Sequence, residues 1–259
     1  MKIKALLAAA VLVIGAAWSP AQQFGNTQVG LGGELFGGAP LTSPKAKMKV
    51  LVITGGHGFE PEPFFRIFED NAELDFTAAR QGASAEAYER KDLFEYQVVA
   101  LYDMPKSITP EQQARFLALF DRGIGLVVLH HALVSYPEWP EYERIIGGHY
   151  SVADEKAGLA GYQHDVDIPV HIADPEHPIT AGLKDFLIHD EIYWGFHVSP
   201  DVLPLLTTTE AHSGNPIAWT RLEGQSRVVY LQLGHGPSAY ADGNYRELVA
   251  RALRWAAKK

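Results

Sequence analysis

The stretch Gly123-Ile124-Gly125-Leu126-Val127-Val128-Leu129-His130-His131-Ala132 predicts the centre of a parallel β-sheet. Residues 126–129 are apolar at every position, which is typical of a strand that is buried on both faces. The strand continues directly into His130 and His131. Open α/β sheets bind their ligands at the carboxyl ends of their strands, so these imidazoles stand where a site is expected. Alternatively, the two rings only meet solvent or a backbone carbonyl.

Strands and helices alternate on both sides of this stretch, with short connections between them. Residues 47–54, 73–79 and 96–102 are predicted strands, and a helix capped by Thr109 precedes the central strand. This alternation favours an α/β fold with a doubly wound, mostly parallel sheet and helices on both faces. Residues 51–53, 98–101 and 126–129 are expected in the interior of the sheet. Further strands are predicted at residues 165–172, 203–209, 217–221 and 227–233, the last two as a hairpin, before a closing helix over residues 244–257.

The amino terminus has the features of a secretory signal peptide over residues 1–21. Lys2 and Lys4 precede an apolar run, and small residues lead to an expected cut after Ala21. Residues 22–47 then read as a flexible linker, followed by a single domain over residues 48–259. The mature protein is therefore predicted to be periplasmic or secreted, with no stable membrane insertion. An uncleaved amino-terminal anchor is the alternative.

Composition excludes several classes of function. The 259 residues contain no cysteine, so there is no disulfide, no thiolate nucleophile and no cysteine-ligated metal. The net charge is −9, and no basic run is present, which makes nucleic acid a poor partner. A small neutral substrate fits this composition better, and no nucleotide cofactor is expected. The pattern makes no prediction of an oligomeric state.

Three predicted strands end in a histidine, and this repetition carries the site prediction. His57, His130 and His235 follow the first, fourth and last strands, and glycines flank His57 and His235. If the three strands are parallel, the three rings meet at one edge of the sheet. They then form a catalytic group that either binds a divalent metal, most simply Zn²⁺, or acts as general acid and base without one. The alternative is that the rings hydrogen-bond buried backbone groups.

A second candidate is the motif Asp190-Glu191-x-Tyr193. Glu191 and Tyr193 are predicted to take part in catalysis, and Asp190 is predicted to bind substrate. An acidic pair at this position is suited to orient an imidazole, to bind a sugar hydroxyl or to accept a proton. A solvated strand end explains the same residues equally well. The other predicted substrate-binding residues are Gly56, His131, His149 and Gly234. The remaining histidines, His164 among them, read as surface residues.

Taken together, these motifs resemble the ThuA-like (trehalose utilisation) family, which has the class I glutamine amidotransferase-like fold. The resemblance spans residues 50–256 and rests on the glycine-histidine loop at His57, the strand before His130, Gly147-Gly148-His149, His177-Pro178-Ile179-Thr180-x-Gly182, Asp190-Glu191-x-Tyr193, Gly234-His235-Gly236 and Arg254-Trp255-Ala256. It implies a flavodoxin-like α/β sandwich and a role in carbohydrate metabolism. Some relatives occur with oxidoreductases that make 3-keto sugars, and some hold zinc through histidines.

The resemblance also implies that His130 and His131 stand at the strand-to-helix elbow where amidotransferases carry a nucleophilic cysteine. Since this chain has no cysteine, glutamine hydrolysis through a thiolate is excluded. The leading hypothesis is an enzyme that acts on a sugar or a (3-keto-)glycoside by hydrolysis, elimination, hydration or isomerisation. The alternative is a sugar-binding or scaffolding protein without turnover on the same fold.

Overall fold

The computed structural model describes residues 46–258. The predicted signal peptide and nearly all of the predicted linker lie outside the described residues. The sheet strands are β1 (Met48–Gly55), β2 (Leu74–Arg80), β3 (Val98–Asp103), β4 (Gly125–Leu129), β5 (Gly148–His149), β6 (Gly161–Ile172), β7 (Phe186–Trp194), β8 (His197–Val198), β9 (Leu203–Thr208), β10 (Ala218–Glu223) and β11 (Ser226–Leu231). The helices are α1 (Pro61–Glu69), α2 (Pro110–Asp121), α3 (Pro140–Ile146), α4 (Val152–Lys156), α5 (Pro237–Ala241) and α6 (Gly243–Ala256). In this part of the chain, no helix is long and apolar enough to cross a membrane.

A single nine-stranded sheet organises the domain, in the order β2-β1-β3-β4-β11-β10-β9-β6-β7. The five strands from β2 to β11 pair in parallel, and the four pairings from β11 to β7 are antiparallel. The predicted mostly parallel α/β sheet is confirmed, as are the interior positions of β1, β3 and β4. The predicted hairpin is also present, because β10 and β11 pair across the turn at Gly224 and Gln225.

Helices cover both faces of the sheet, which makes the fold doubly wound. On one face, Val50 and Val52 pack in a core with Phe64 of α1 and Leu248 of α6. On the other face, Leu51 lies in a separate core with residues of α2 and α3. Adjacent residues of one strand therefore enter different cores. This explains why the parallel strands are apolar at every position.

The glycines before β4 have distinct structural roles. Gly123 adopts a positive φ of 68° where the chain leaves α2. A side chain at Gly125 would collide with the backbone of Ala256, because α6 lies directly against the start of β4. The Gly-x-Gly sequence therefore both ends one helix and admits the closing helix.

The antiparallel part departs from the sequence prediction at β6. This strand begins at Gly161, four positions before the predicted start at Asp165, and its pairing with β7 shifts register between Gln163 and Val166. Asp165 has a positive φ of 58° at this bulge. A bulge interrupts the two-residue alternation of a strand, so the segment before Asp165 lacked a strand pattern.

Candidate active site

The carboxyl ends of β1, β4 and β11 bring together the three histidines that the sequence singled out. The ring of His235 lies 5.2 Å from that of His130 and 6.3 Å from that of His57, measured between centroids. These strands belong to the parallel half of the sheet, so their carboxyl ends share one edge. The predicted meeting of His57, His130 and His235 is therefore present in the structure.

His130 is the central residue of the site. It is fully buried and has a positive φ of 51°, at the point where β4 turns into the short 3-10 helix His130–Val134. A histidine in this left-handed region is uncommon, and such conformations concentrate at functional sites. The sharp turn points the imidazole away from the strand direction and toward residues of β7 and the loop after β11.

The carboxyl-terminal part of β7 supplies the acidic member of the site. The Glu191 Oε2 atom lies 2.8 Å from His130 Nε2 and 3.0 Å from His235 Nδ1. The Tyr193 hydroxyl lies 2.9 Å from His130 Nε2. β7 is the edge strand farthest from β2, so the antiparallel half must curve back over the carboxyl ends of the parallel strands to make these contacts.

Hydrogen-bonding partners indicate which nitrogen of the His130 ring carries a proton. Its Nδ1 atom donates to the Gln232 carbonyl oxygen at 2.6 Å, because a carbonyl can only accept. The Nε2 atom can then donate to Glu191 only in the protonated ring, and in the neutral ring it presents a lone pair. That lone pair faces the Glu191 carboxylate and also lies 3.1 Å from His235 Nδ1. Atoms with lone pairs repel at such distances unless a proton or a cation lies between them.

His130, Glu191 and His235 form the group that could hold a metal ion among the described residues, since their donor atoms all lie within 4.8 Å of one another. Two imidazoles and one carboxylate suit zinc and other divalent transition metals. The bond from His130 Nδ1 to a backbone carbonyl is the outer contact that orients metal-binding histidines. The donor chemistry therefore fits a divalent cation.

This group differs from the predicted metal set in one member: Glu191 stands where the sequence predicted His57. The His57 Nδ1 atom faces its neighbouring carbonyl, that of Gly58, at 2.7 Å. Its ring instead lies 4.5 Å from the ring of His131. His57 occupies the open side of the site, where a substrate would contact it.

The pKa values of the titratable groups in the site are shifted in different directions. Burial alone would raise the pKa of Glu191, but the hydrogen bonds from His130 and His235 outweigh it and hold that pKa well below its usual range. The Glu191 hydrogen bond raises the pKa of His235, whereas burial lowers the pKa of His57. Glu191 therefore favours its anionic form, and its contacts with two imidazoles correspond to the orienting role among those predicted for the acidic pair. A neutral His57 is the better-placed base.

A cavity of about 710 Å³ opens beside these residues. Of the residues predicted for the site, five line it: His57, His131, Glu191, Tyr193 and His235. The fully buried His130 lies behind this wall. His131 is also nearly buried, and burial lowers its pKa well below the usual range, so its ring is neutral.

Four of the predicted substrate-binding residues are not among the residues that line the cavity. Asp190 is buried and accepts the backbone N–H groups of Gly234 and His235, at 2.6 and 2.9 Å. Gly234 has a φ of 115° and packs against the Tyr245 ring, which explains the glycine without a ligand. Asp190 and Gly234 therefore shape the loop that carries His235.

The other two residues lie beside the cavity rather than in its wall. His149 pairs with His197 in the two-stranded β5-β8 sheet, and it is the following residue, Tyr150, that reaches the cavity. Gly56 has a φ of 79° and lies against the backbone of Met104, where it lines a neighbouring groove.

Sequence reasoning missed His164, which is part of the site. Its Nδ1 atom lies 3.3 Å from Glu191 Oε1, and its ring lies 4.4 Å from the ring of His235. The β6 bulge places His164 opposite Glu191. Tyr150 and Tyr162 also line the cavity and were not predicted. The sequence before Asp165 has no strand periodicity, so no pattern in the single chain indicated these contacts.

A family model described as trehalose utilisation, ThuA, matches residues 49–256. The chain belongs to the ThuA family. The resemblance inferred from the motifs is therefore confirmed over nearly the whole described domain. No curated protein matches the chain significantly.

Solved structures of ThuA-like proteins have the same fold. One from Parabacteroides merdae is 21% identical with a TM-score of 0.68, and the match covers 82% of this chain and 90% of that chain. Another, from Bacteroides uniformis, is 22% identical with a TM-score of 0.63, covering 85% and 95%. A β-galactosidase from Rahnella sp. R3 is 14% identical with a TM-score of 0.54, covering 79% of this chain and 31% of the enzyme. At these identities the likeness shows the fold alone.

Proposed function

We propose that this ThuA-family protein is an enzyme that acts on a sugar or a glycoside, including 3-keto glycosides, by metal-assisted acid–base chemistry. The observation that carries the proposal is the convergence of His130 Nε2, Glu191 Oε2 and His235 Nδ1 beside a cavity. We further propose that the protein works outside the cytoplasm, as its basic and apolar amino-terminal residues predict. Mass spectrometry of the intact exported protein should then give the mass of a chain that begins near Gln22.

A divalent cation bound by His130, Glu191 and His235 would act as a Lewis acid toward a substrate oxygen. The protein residues supply the remaining chemistry. His57 lies on the open side, and its lowered pKa keeps it neutral and able to accept a proton. In a 3-keto sugar, the proton on the carbon beside the ketone is acidic, and His57 would remove it.

Tyr193 provides the complementary group. Burial raises the pKa of Tyr193 well above its usual value, so the hydroxyl keeps its proton and can donate a hydrogen bond. Tyr193 lines the cavity. Its hydroxyl contacts His130 Nε2 at 2.9 Å, and with a cation on that nitrogen the proton would be free to stabilise charge developing on a substrate oxygen. The aromatic rings of Tyr150 and Tyr162 in the same wall suit the apolar faces of a sugar.

The test is product analysis by mass spectrometry after incubation of the purified protein with glycosides and their 3-keto derivatives. We expect product from at least one substrate, a stoichiometric divalent metal by elemental analysis, and loss of product after chelation. Turnover that survives complete metal removal would overturn the metal assignment. Tight sugar binding without product, in metal-loaded protein, would establish the alternative of a sugar-binding protein.

A further inference from the structure

A second groove, of about 630 Å³, lies beside the cavity described above. It crosses the carboxyl ends of β2, β1 and β3, and its walls are formed by Gly56, residues 80–83, Met104 and Lys106. Met104 and Lys106 also line the main cavity. The two spaces therefore border each other at Met104 and Lys106, and a ligand that crosses these residues would reach both.

The groove contains two cations and no acidic side chain among its lining residues. Arg80 ends β2, and Lys106 follows β3; both side chains are exposed. Within residues 46–258, neither side chain forms an ion pair or a hydrogen bond. Glu86 lies beside the groove, and its carboxylate accepts the backbone N–H of Gly82 at 3.2 Å.

These unpaired cations stand out in a chain with a net charge of −9. A guanidinium and an ammonium that face one groove without counter-charges attract an anion, and arginine matches carboxylate and phosphate groups with two parallel hydrogen bonds. The main cavity differs, because acidic Glu60 and Glu155 are among its walls. Arg80 thus lies in the groove and outside the lining of the main cavity, while Lys106 borders both spaces.

We propose that the groove is a subsite for an anionic group, a carboxylate or a phosphate, carried by the ligand whose sugar ring occupies the main cavity. Arg80 binds the anion, and Lys106 stands at the junction of the two spaces. The anionic subsite follows from the groove itself, while the sugar part rests on the proposed function. The substrate class is accordingly an acidic sugar or a sugar phosphate.

The test is calorimetric titration at low ionic strength, because exposed charges are screened by salt. The probes are inorganic phosphate, methyl β-D-glucuronide and the uncharged methyl β-D-glucoside. The variants are Arg80→Ala and Lys106→Ala, with Lys91→Ala as the matched control, since Lys91 is an exposed lysine outside both spaces. Each titration is repeated in Glu191→Gln, so that anion binding by a metal is removed.

We expect Arg80→Ala to weaken binding of phosphate or glucuronide by about tenfold or more, the loss of one charge-assisted hydrogen bond. Lys91→Ala should bind as the unchanged protein does, and the glucoside should be unaffected by any cation substitution. An effect on phosphate alone assigns the subsite to phosphoryl groups, and an effect on glucuronide alone assigns it to carboxylates.

Equal anion binding in Arg80→Ala and Lys91→Ala would overturn the subsite, as would the absence of anion binding in the unchanged protein. The titrations in Glu191→Gln measure anion binding without the proposed metal site. They therefore test the subsite separately from the proposed function. Arg80-dependent anion binding that persists there supports the subsite even if no turnover is found. Turnover of an anionic glycoside that is unchanged in Arg80→Ala would support the enzyme and overturn the subsite.

Discussion

Glu191 Oε2 lies 2.8 Å from His130 Nε2, although the two residues belong to opposite halves of the sheet. His130 follows a central parallel strand, and Glu191 belongs to the antiparallel edge strand. The carboxylate is nearly fully buried and is shared with His235. This contact joins the two halves of the fold at the point where we propose that a cation binds.

Glu191→Gln should remove the metal while keeping the fold. The amide has nearly the same shape but no charge, so we expect metal affinity to fall more than about 100-fold, since even outer contacts of a metal site account for 10–100-fold. Turnover should fall in parallel. Elemental analysis and product formation measure the two effects. Glu210→Gln is the control, because Glu210 also contacts a histidine, His212 at 3.3 Å, at the surface. Metal retained at full stoichiometry in Glu191→Gln would contradict the assignment.

His130→Ala should abolish turnover and also destabilise the protein. A histidine at a strand end contributes little to packing when it faces solvent, but His130 is fully buried and its Nδ1 atom donates to the Gln232 carbonyl. Removal of the ring leaves that carbonyl unpaired, which costs about 1–3 kcal/mol of unfolding free energy. Chemical denaturation measures this loss. Unchanged stability would show that water replaces the imidazole at the carbonyl.

Asp190→Asn tests whether the loop that carries His235 needs a buried carboxylate. Asp190 accepts two backbone N–H groups, and an amide presents one acceptor oxygen to the same pair. We expect a loss of about 1–3 kcal/mol in stability and weaker metal binding, because His235 is no longer held in place. Asp75→Asn, at an exposed position, is the control for stability and metal affinity. If Asp190 contacts substrate instead, KM should rise with metal affinity unchanged.

Tyr162→Ala should weaken sugar binding without slowing the chemical step. Tyr162 lines the cavity and is 48% exposed, so it offers an aromatic face at low structural cost. We expect KM to rise about three- to tenfold, as the loss of an aromatic contact of about 0.5–1.5 kcal/mol implies. Tyr162→Phe retains the ring and should restore KM. A fall in kcat at constant KM would place Tyr162 in the reaction itself.

Asp103 should make stability depend on pH. Burial raises the pKa of Asp103 to about 7 in the folded protein, so folding favours the protonated carboxyl. The unfolded chain has the ordinary value of 3.8, and stability should therefore fall as pH rises from about 4 to about 7, by at most about 4 kcal/mol. Asp103→Asn keeps an acceptor for the Gln81 amide and should remove this component. Chemical denaturation of both proteins at pH 5 and pH 8 measures their unfolding free energies. The same pH dependence in the unchanged protein and in Asp103→Asn would contradict the prediction.

The parallel half of the fold and three members of the site could be predicted from the chain alone. Residues 126–129 are apolar throughout because both faces of β4 are covered, and this pattern is local. A buried parallel strand has a defined carboxyl end, so histidines that follow such strands must share one edge. The proximity of His57, His130 and His235 could therefore be predicted without knowledge of side-chain contacts.

The tertiary structure alone decided which groups complete the site. The sequence motif indicated Glu191 as a site residue but did not predict its contacts. Its contact with His130 depends on how far the antiparallel half curves over the parallel strands. His164 reaches Glu191 only because of a bulge in β6, and a bulge interrupts the pattern that sequence reasoning uses. Strand periodicity is set by nearest neighbours along the chain, whereas curvature and bulges are set by packing between segments far apart in sequence.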